Sequence, residues 1–390
     1  MRLEVVSTME GFRSLRSVWG GVLERSASRS IFLTWEWLFQ WWLHFNKGKA
    51  LYILLMKDRE KVVGIAPFCI TKVAMFGLPF VRKIMFLGSG KVGSDLMDII
   101  VEKGREREAV DETVRYLEAN CSLWDVVDWC DLDACSPLAR YVSLHLSHLY
   151  RVYEKPEKKC PYIDLPGDFE ELLKKLKPNI RNSLKYRTKR IESGSGIVFR
   201  SHGEQDPLKK DIDALFDLHD IRFRAKKAKS AFQGKLLRMF HYDVAEQFSK
   251  KGWLKLCFLE RENRQIAALY AFKYRGRMYY YQSGFDPEWS KWAPGTVLMG
   301  YCMRESIKEG VREFHYLRGG EGYKERWTGT TLKMKSLVIT QKGVAGSAYA
   351  GILAGKAALK SLVRSIKVAL GPTAAAEPGN ASNSSANTEE

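Results

Sequence analysis

The sequence contains one arrangement of elements twice, and the second copy lies roughly 200 residues after the first. Each copy has a Ser-x-Phe triplet before an aromatic-rich helical stretch, then two apolar strands around a charged turn, then a helix followed by a strand. These pieces lie at 30–32, 51–68 and 106–129 in the first copy and at 230–232, 254–272 and 294–317 in the second. A unit of this size that occurs twice predicts two homologous domains rather than a solenoid of short repeats.

The repeat sets the fold class together with the length of 390 residues, because one ordinary domain has about 100–200 residues. We predict an α/β (α+β) chain of two tandem domains, each with a mixed twisted sheet flanked by helices. The predicted boundaries are 1–155 and 156–342 for the two domains, 343–371 for a basic amphipathic helix and 372–390 for a disordered tail.

The net charge of +18 belongs to three segments, 174–190, 222–229 and 326–376, which carry 21 basic residues and no acidic residue. The rest of the chain sums to −3. Nucleic acid, phosphorylated substrates and membrane surfaces are the anionic partners that such a charge would serve. The apolar spacing in 174–190 predicts a new helix that begins near Lys177, with Pro178 in its first turn. A solvated helix face and a surface that meets phosphates both remain open for this helix.

The ends of the chain and its cysteines bear on location and chemistry. Segment 343–371 has an apolar side next to a basic side, so it fits either an anionic membrane surface or the protein's own body. The first residues lack the apolar region of a signal peptide, and we expect a cytoplasmic protein with at most peripheral contact at the inner face of the membrane. The seven Cys form no C-x-x-C pair and indicate reduced thiols, and no metal-binding motif is present.

The richest stretch is a strand, a turn and a helix followed by a glycine-containing loop, at 279–327. Pro294, Gly295 and Thr296 open the helix, and the exposed N–H groups of a helix start suit a pyrophosphate, although a structural turn is the commoner meaning of Pro-Gly. The loop 318–324 follows the next strand and presents Arg, Glu, Tyr and Lys where ligands bind in α/β folds.

These motifs resemble a known family, the acetyltransferase-like proteins of the CelD/BcsL type, also called the BioF-like acetyltransferase domain, within the GNAT superfamily. The resemblance covers roughly residues 1–330 and is carried by G-F-D-P-x-W-S, by P-G and by L-R-G-x-E-x-Y-K-x-R-W. The matching residues are Gly284, Phe285, Asp286, Pro287, Trp289, Ser290, Pro294, Gly295, Leu317, Arg318, Gly319, Glu321, Tyr323, Lys324, Arg326 and Trp327. The resemblance implies two tandem GNAT-like domains, as in the FemABX peptidoglycan transferases.

The implied activity is transfer of an acyl or aminoacyl group to an amine, often in exopolysaccharide or envelope synthesis. GNAT enzymes that use acetyl-CoA commonly carry Q/R-x-x-G-x-G/A, and this chain has Ser-Lys-Trp-Ala-Pro-Gly-Thr at 290–296 instead. The donor therefore stays open between acyl-CoA, with acetyl-CoA as the first candidate, and aminoacyl-tRNA. The expected acceptor is an anionic small molecule or glycan precursor that bears an amine. A non-catalytic protein that binds nucleic acid or a membrane surface is the alternative from another class.

Amine acylation needs a deprotonated amine and a stabilised carbonyl oxygen, and this assigns expected roles to the residues. Asp286 and Glu321 are the candidate bases, and Lys324 resembles the lysine of the F-K-x-x-F motif in Fem-type transferases. The remaining candidates are donor-binding Pro294, Gly295 and Thr296 and substrate-binding His219, Arg222, Arg318, Tyr323 and Trp327. Structural alternatives stay open, since Asp286 could cap a turn, Glu321 could pair with Arg318, and His219 could be a satisfied core histidine.

Overall fold

The computed structural model describes residues 1–75, 78–146, 150–319 and 322–355. Across these residues the strands are β1 (Arg2–Val6), β2 (Lys49–Asp58), β3 (Lys61–Met75), β4 (Leu78–Phe86), β5 (Ile100–Val101), β6 (Val126–Asp133), β7 (Arg151–Asp164), β8 (Ile197–Ser201), β9 (Leu254–Arg261), β10 (Arg264–Tyr274), β11 (Arg277–Phe285), β12 (Glu313–His315) and β13 (Thr331–Thr340). The helices are α1 (Met9–Ser14), α2 (Arg16–Arg25), α3 (Trp35–Phe45), α4 (Glu106–Ala119), α5 (Pro137–Leu146), α6 (Phe169–Lys175), α7 (Pro178–Glu192), α8 (Leu208–Ala225), α9 (Lys235–Lys250), α10 (Pro294–Lys308) and α11 (Gly322–Trp327).

The strands form one mixed sheet in the order β1-β2-β3-β4-β6-β13-β7-β12-β11-β10-β9-β8, with β5 paired to β3. Counted from either end of the sheet, equivalent strands of the two halves follow in the same succession. In each half an antiparallel hairpin and a third antiparallel strand lead to a parallel neighbour, which is β4 beside β6 in the first half and β11 beside β12 in the second. The helix that connects the parallel pair is α4 in one half and α10 in the other. The predicted fold class, a mixed α/β chain with two tandem units, is confirmed.

The last strand of each half pairs with the other half. β7 follows the first half along the chain but pairs with β12, and β13 follows the second half but pairs with β6. The two exchanged strands also pair with each other, from Thr331 opposite Pro161 to Thr340 opposite Arg151. The predicted boundary between residues 155 and 156 falls inside β7. The sequence could not show that β7 is shared between the halves, because periodicity carries no information on which distant strand a segment pairs with.

The aromatic helices of the repeat pack against each other and give the two halves a common core. α3 is buried over most of its surface, as its many aromatic residues favour, and the Thr34 hydroxyl accepts from the Trp37 N–H at its start. Trp37 is fully buried, and its ring lies edge-on to that of Phe240 in α9, with 5.0 Å between the ring centroids. Truncation of such a side chain to Ala costs about 3–5 kcal/mol, so this contact is a main link between the halves.

The first basic segment forms helices at the edge of the second half. α6 ends at Lys175, and α7 begins at Pro178 with Lys177 as its N-cap residue, as predicted. α7 packs closely on α10, because Gly300 leaves room for Leu184: a Cβ at position 300 would lie 2.6 Å from Leu184 Cδ1. The Pro178 ring explains the break between α6 and α7, since the residue before a proline is pushed out of the helical region.

The described part of the basic C-terminal segment lies on the protein itself. Residues 344–355 are helical, and Ala345, Tyr349 and Leu353 pack on a cluster that includes Val126 and Val338. The remainder of the predicted amphipathic helix and the predicted disordered tail, 356–390, lie outside the described residues. Among the helices of the described residues, none is long and apolar enough to span a bilayer.

Candidate active site

A cleft of about 420 Å³ opens in the second half where two parallel strands separate. β11 and β12 pair over only three positions, from Arg277 opposite Glu313 to Tyr279 opposite His315. Beyond Tyr279, β11 continues alone on this side and contributes Tyr280, Ser283 and Phe285 to the cleft wall. A crevice at the end of a parallel pair is where ligands bind in open α/β sheets.

The start of α10 forms the opposite wall of this cleft. Pro294, Gly295 and Thr296, predicted to bind the donor, all line it. Ala293 precedes them in a left-handed conformation with φ 47° and ψ 54°, which turns the chain sharply from a short 3-10 helix into α10. A Cβ on Gly295 would come no closer than 3.8 Å to Phe285, so the glycine does not mark a steric limit. The 15-residue helix directs its positive end at the cleft, which favours an anion there.

The lining of the cleft is basic. Arg187 of α7, Arg222 and Lys226 at the end of α8, and Arg326 of α11 line it, and none of the described lining residues is acidic. Arg222 is held in place, since its Nη1 donates to the Ser283 carbonyl oxygen at 3.2 Å and to the Ser283 hydroxyl at 3.0 Å. Helix start and side chains together give a positive potential that suits phosphate groups.

A smaller inner chamber of about 200 Å³ continues from the cleft. It shares Arg222, Lys226, Tyr280, Ser283 and Tyr323 with the cleft and adds Phe223, Tyr281, Gln282, Arg318 and Lys324. Hydroxyl groups are joined along one wall: Tyr280 Oη lies 2.5 Å from Ser283 Oγ, and Tyr323 Oη donates to Tyr280 Oη at 3.3 Å. The two spaces therefore form one site with a polar, cationic inner end.

The loop after β12 and the short helix α11 that follows it bring several predicted residues into this site. Tyr323 and Trp327 line the cleft, and Arg318 and Lys324 line the inner chamber. Lys324 is only 4% exposed, and its Nζ donates to the Arg318 carbonyl oxygen at 2.8 Å. The Arg318 guanidinium forms ion pairs with Asp95 and Asp131 where it lines the chamber.

His219 lies behind the chamber wall rather than in it. Its ring is fully buried, stacks on Phe223 with 4.2 Å between centroids, and contacts Ser230 Oγ at 2.9 Å and Gln282 Oε1 at 3.1 Å. Burial lowers the pKa of His219 to about 4, so the imidazole is neutral near pH 7. With Ser230 donating to Nδ1, the Nε2–H donates to Gln282 and orients that amide at the chamber wall.

One of the two predicted bases, Asp286, caps a turn. Asp286 is 5% exposed and is not among the lining residues of either space. Its oxygens accept from the Glu288 N–H at 3.1 Å and from Arg264 Nη2 at 2.7 Å, which is the capping arrangement left open by the sequence. Glu321 lies outside the described residues.

Other lining residues were not among the predicted site residues. Arg187 and Lys226 belong to the basic segments 174–190 and 222–229, whereas Tyr280, Gln282 and Ser283 belong to β11. The packing of α8 on β11 and of α7 on α10 brings them together. The three consecutive tyrosines at the end of the strand were the one available sign for Tyr280.

A group with metal-ligand spacing lies elsewhere, in the described part of the second half. His202, Asp206 and Asp211 approach within 4.8 Å of one another. The Arg200 guanidinium lies among them, 2.9 Å from Asp206 and 2.7 Å from Asp211, so a fixed cation already balances these carboxylates. The geometry is that of an ion-pair network.

Comparisons with known proteins address the fold over nearly the whole chain. FemX matches with a TM-score of 0.59 at 9% identity, over 86% of this chain and 97% of FemX. A conserved protein of unknown function from Bacteroides thetaiotaomicron VPI-5482 matches with a TM-score of 0.55 at 10% identity, over 87% and 100% of the two chains. The C-terminal domain of a putative lysylphosphatidylglycerol synthetase from Agrobacterium fabrum matches with a TM-score of 0.51 at 10% identity, over 87% and 95%. At such identities the likeness establishes the fold alone.

The sequence itself matches one family model, an acetyltransferase (GNAT) domain, over residues 178–325. No curated protein matches the chain in sequence. The matched range begins at α7 and ends within α11, so it contains both walls of the cleft and the loop after β12. This match favours the enzyme over the non-catalytic alternative. Residues 178–325 are similar to an acetyltransferase (GNAT) domain, and the match supports an enzyme of the acyltransferase class.

Proposed function

We propose that the chain transfers an acyl group from an acyl-CoA to the amine of an anionic acceptor, such as a sugar or a cell-envelope or exopolysaccharide precursor. The observation that carries this proposal is the cleft between β11 and α10, where a helix start and four cationic side chains face one space. Coenzyme A carries a pyrophosphate and a further phosphate, and this cleft has the charge and the helix end that such groups require.

The inner chamber supplies groups suited to the transfer step. Its cations, Arg318 and Lys324 among them, disfavour an ammonium ion, so the acceptor amine enters as the neutral nucleophile after losing its proton to solvent. Lys324 is the cation best placed to stabilise negative charge that develops on the carbonyl oxygen. The connected hydroxyls of Tyr323, Tyr280 and Ser283 give the departing sulfur a proton donor.

The proposal gives the first half no donor site of its own. α4 occupies the position of α10, but its first turn carries Glu106 and Glu108, and Arg105 at its N-cap pairs with Glu108 and Asp58. Acidic side chains there compensate the positive end of the helix dipole and repel phosphate. One donor molecule per chain is therefore expected.

Calorimetric titration of the full chain with CoA and acetyl-CoA tests the donor. We expect one binding site per chain and weaker binding with rising salt, since charge dominates the cleft. Release of free CoA thiol is then measured with panels of amines that do or do not carry a phosphate or carboxylate, and the anionic amines should react faster. Absence of CoA binding would refute the proposed donor, and equal rates for neutral and anionic amines would refute the proposed acceptor class.

An aminoacyl-tRNA donor is the second candidate, and a specific observation favours it. The outer face of α7 exposes Lys177, Lys185, Lys189 and Arg190 beside the cleft, as a surface for a larger polyanion would. The overall likeness to FemX and to the lysylphosphatidylglycerol synthetase domain agrees with a fold that serves such transfers. Binding of aminoacyl-tRNA, with no binding of CoA, would favour this candidate over the first.

A further inference from the structure

The loop that precedes α11, the short helix that bears Lys324, is anchored in the other half of the molecule. The Arg318 main-chain N–H donates to Asp95 Oδ2 at 2.8 Å, and the Arg318 Nε lies 3.0 Å from Asp95 Oδ1. The same guanidinium pairs with Asp131 through Nη1. Asp95 is fully buried, and both carboxylates belong to the first half. A buried carboxylate that engages both the main chain and the side chain of one residue fixes its position closely.

The fixed loop in turn holds the buried lysine. Lys324 Nζ donates to the Arg318 carbonyl oxygen at 2.8 Å. The positions of the Arg318 amide, guanidinium and carbonyl are thus linked, because one peptide segment carries them all. A change at Asp95 should therefore reach Lys324 although the two side chains belong to different halves.

The backbone around this contact is itself unusual. Leu96, Asp131 and Leu317 all have left-handed conformations, with φ of 54°, 61° and 56°, and each lies next to or within the charged group. Non-glycine residues persist in this region only where surrounding contacts determine them, and such positions concentrate at functional sites. Asp131 is further held by Lys158 Nζ at 2.5 Å.

We infer that Asp95 and Asp131 are positioning residues for the transfer site, which act through Arg318 to hold Lys324 in the inner chamber without contacting substrate. The inference rests on the proposed function for the role of the chamber, and on geometry alone for the coupling between the halves. It assigns the first half a part in the reaction although that half has no donor cleft.

A substrate-free experiment tests the coupling. The full chain and its Asp95→Asn and Asp131→Asn variants are trace-labelled with acetic anhydride, and the modification of Lys324 is measured by mass spectrometry relative to exposed Lys189. We expect at least fivefold more labelling of Lys324 in both variants. The matched control is Asp125→Asn, which removes a carboxylate that pairs with Arg82 within the first half and should leave the ratio unchanged. An unchanged ratio in the two test variants overturns the inference, whatever the enzyme's donor.

A kinetic experiment then tests the consequence for turnover. With acetyl-CoA and the best amine of the panel, Asp95→Asn should lower kcat at least tenfold while the dissociation constant for CoA changes less than twofold. In a Lys324→Met background the same substitution should cause no further loss of kcat, because both substitutions disrupt the same placement of the Lys324 ammonium group. Losses that multiply, or an unchanged kcat per folded molecule, would contradict the inference. Failure of the wild type to bind CoA refutes only the proposed donor, since the labelling result stands apart.

Discussion

The neutral, buried state of His219 predicts a specific pH dependence of stability. The folded-state pKa is about 4 and the unfolded value is about 6.5, so the unfolded chain binds more protons between these values. The stabilising contribution is fully present above the unfolded pKa and is lost as the pH falls through the folded pKa. Between pH 7 and pH 5 the linkage relation gives a loss of about 2 kcal/mol from this residue.

His241 also makes the free energy of unfolding fall as the pH falls, so part of the loss should remain in a variant that lacks His219. Burial lowers its pKa to about 3, so it too contributes about 2 kcal/mol over this pH interval. A His219→Gln variant keeps groups that can bond to Ser230 and Gln282 but cannot take up the proton. The variant should therefore lose about 2 kcal/mol less than the wild type between pH 7 and pH 5, and the loss that remains is attributed to His241.

Guanidinium unfolding followed by tryptophan fluorescence at the two pH values measures this difference. In addition, the imidazole NMR signal that disappears in His219→Gln should not move in the wild type between pH 7 and pH 5. If variant and wild type lost stability equally, to within about 0.5 kcal/mol, the assignment of His219 as a neutral core residue would be wrong. A signal that titrates near pH 6.5 would refute it independently.

Two further predictions concern the packing and the charge of the site. Gly284→Ala should destabilise the fold by about 3 kcal/mol or more, because the added Cβ would lie 2.3 Å from the His219 main-chain nitrogen. Gly295→Ala should change the free energy of unfolding by less than about 0.5 kcal/mol, since its Cβ would come no closer than 3.8 Å to Phe285. Thermal unfolding of the two variants measures the difference. Arg187→Gln and Arg326→Gln should each raise the dissociation constant for CoA about threefold and flatten its dependence on salt, as titration at several salt concentrations would show.

The wall of the cleft that α10 forms was accessible to sequence reasoning because its signals are local. Proline in the first turn and the chain break before it predict the start of a helix, and α10 does begin at Pro294. The capping of a turn by Asp286 follows from the same kind of local rule, since an Asp before Pro commonly accepts from the next free N–H. Where a role depended on a few neighbouring residues, pattern alone gave the right geometry.

Long-range pairings were beyond such rules. Arg318 meets Asp95 and Asp131 across 223 and 187 residues of chain, and no periodicity connects them. The exchange of β7 and β13 has the same origin, because the choice between two similar halves of one sheet depends on tertiary register. The repeat predicted two alike halves but could not indicate which final strand belongs to which half.

The strand exchange and the Arg318 contact together offer a reason for a chain with one proposed donor cleft to keep two halves. Each final strand pairs with the other half within the one sheet, so neither half has all of its strands without its partner. The loop after β12 then meets carboxylates at the junction that the exchange creates. Removing one partner of a buried ion pair costs about 3–5 kcal/mol, which is enough to disorder a short loop while the larger core persists. The first half is therefore expected to hold the loop at the site through its ion pairs as well as through the exchanged strands. Its loss should abolish turnover rather than merely lower the unfolding temperature.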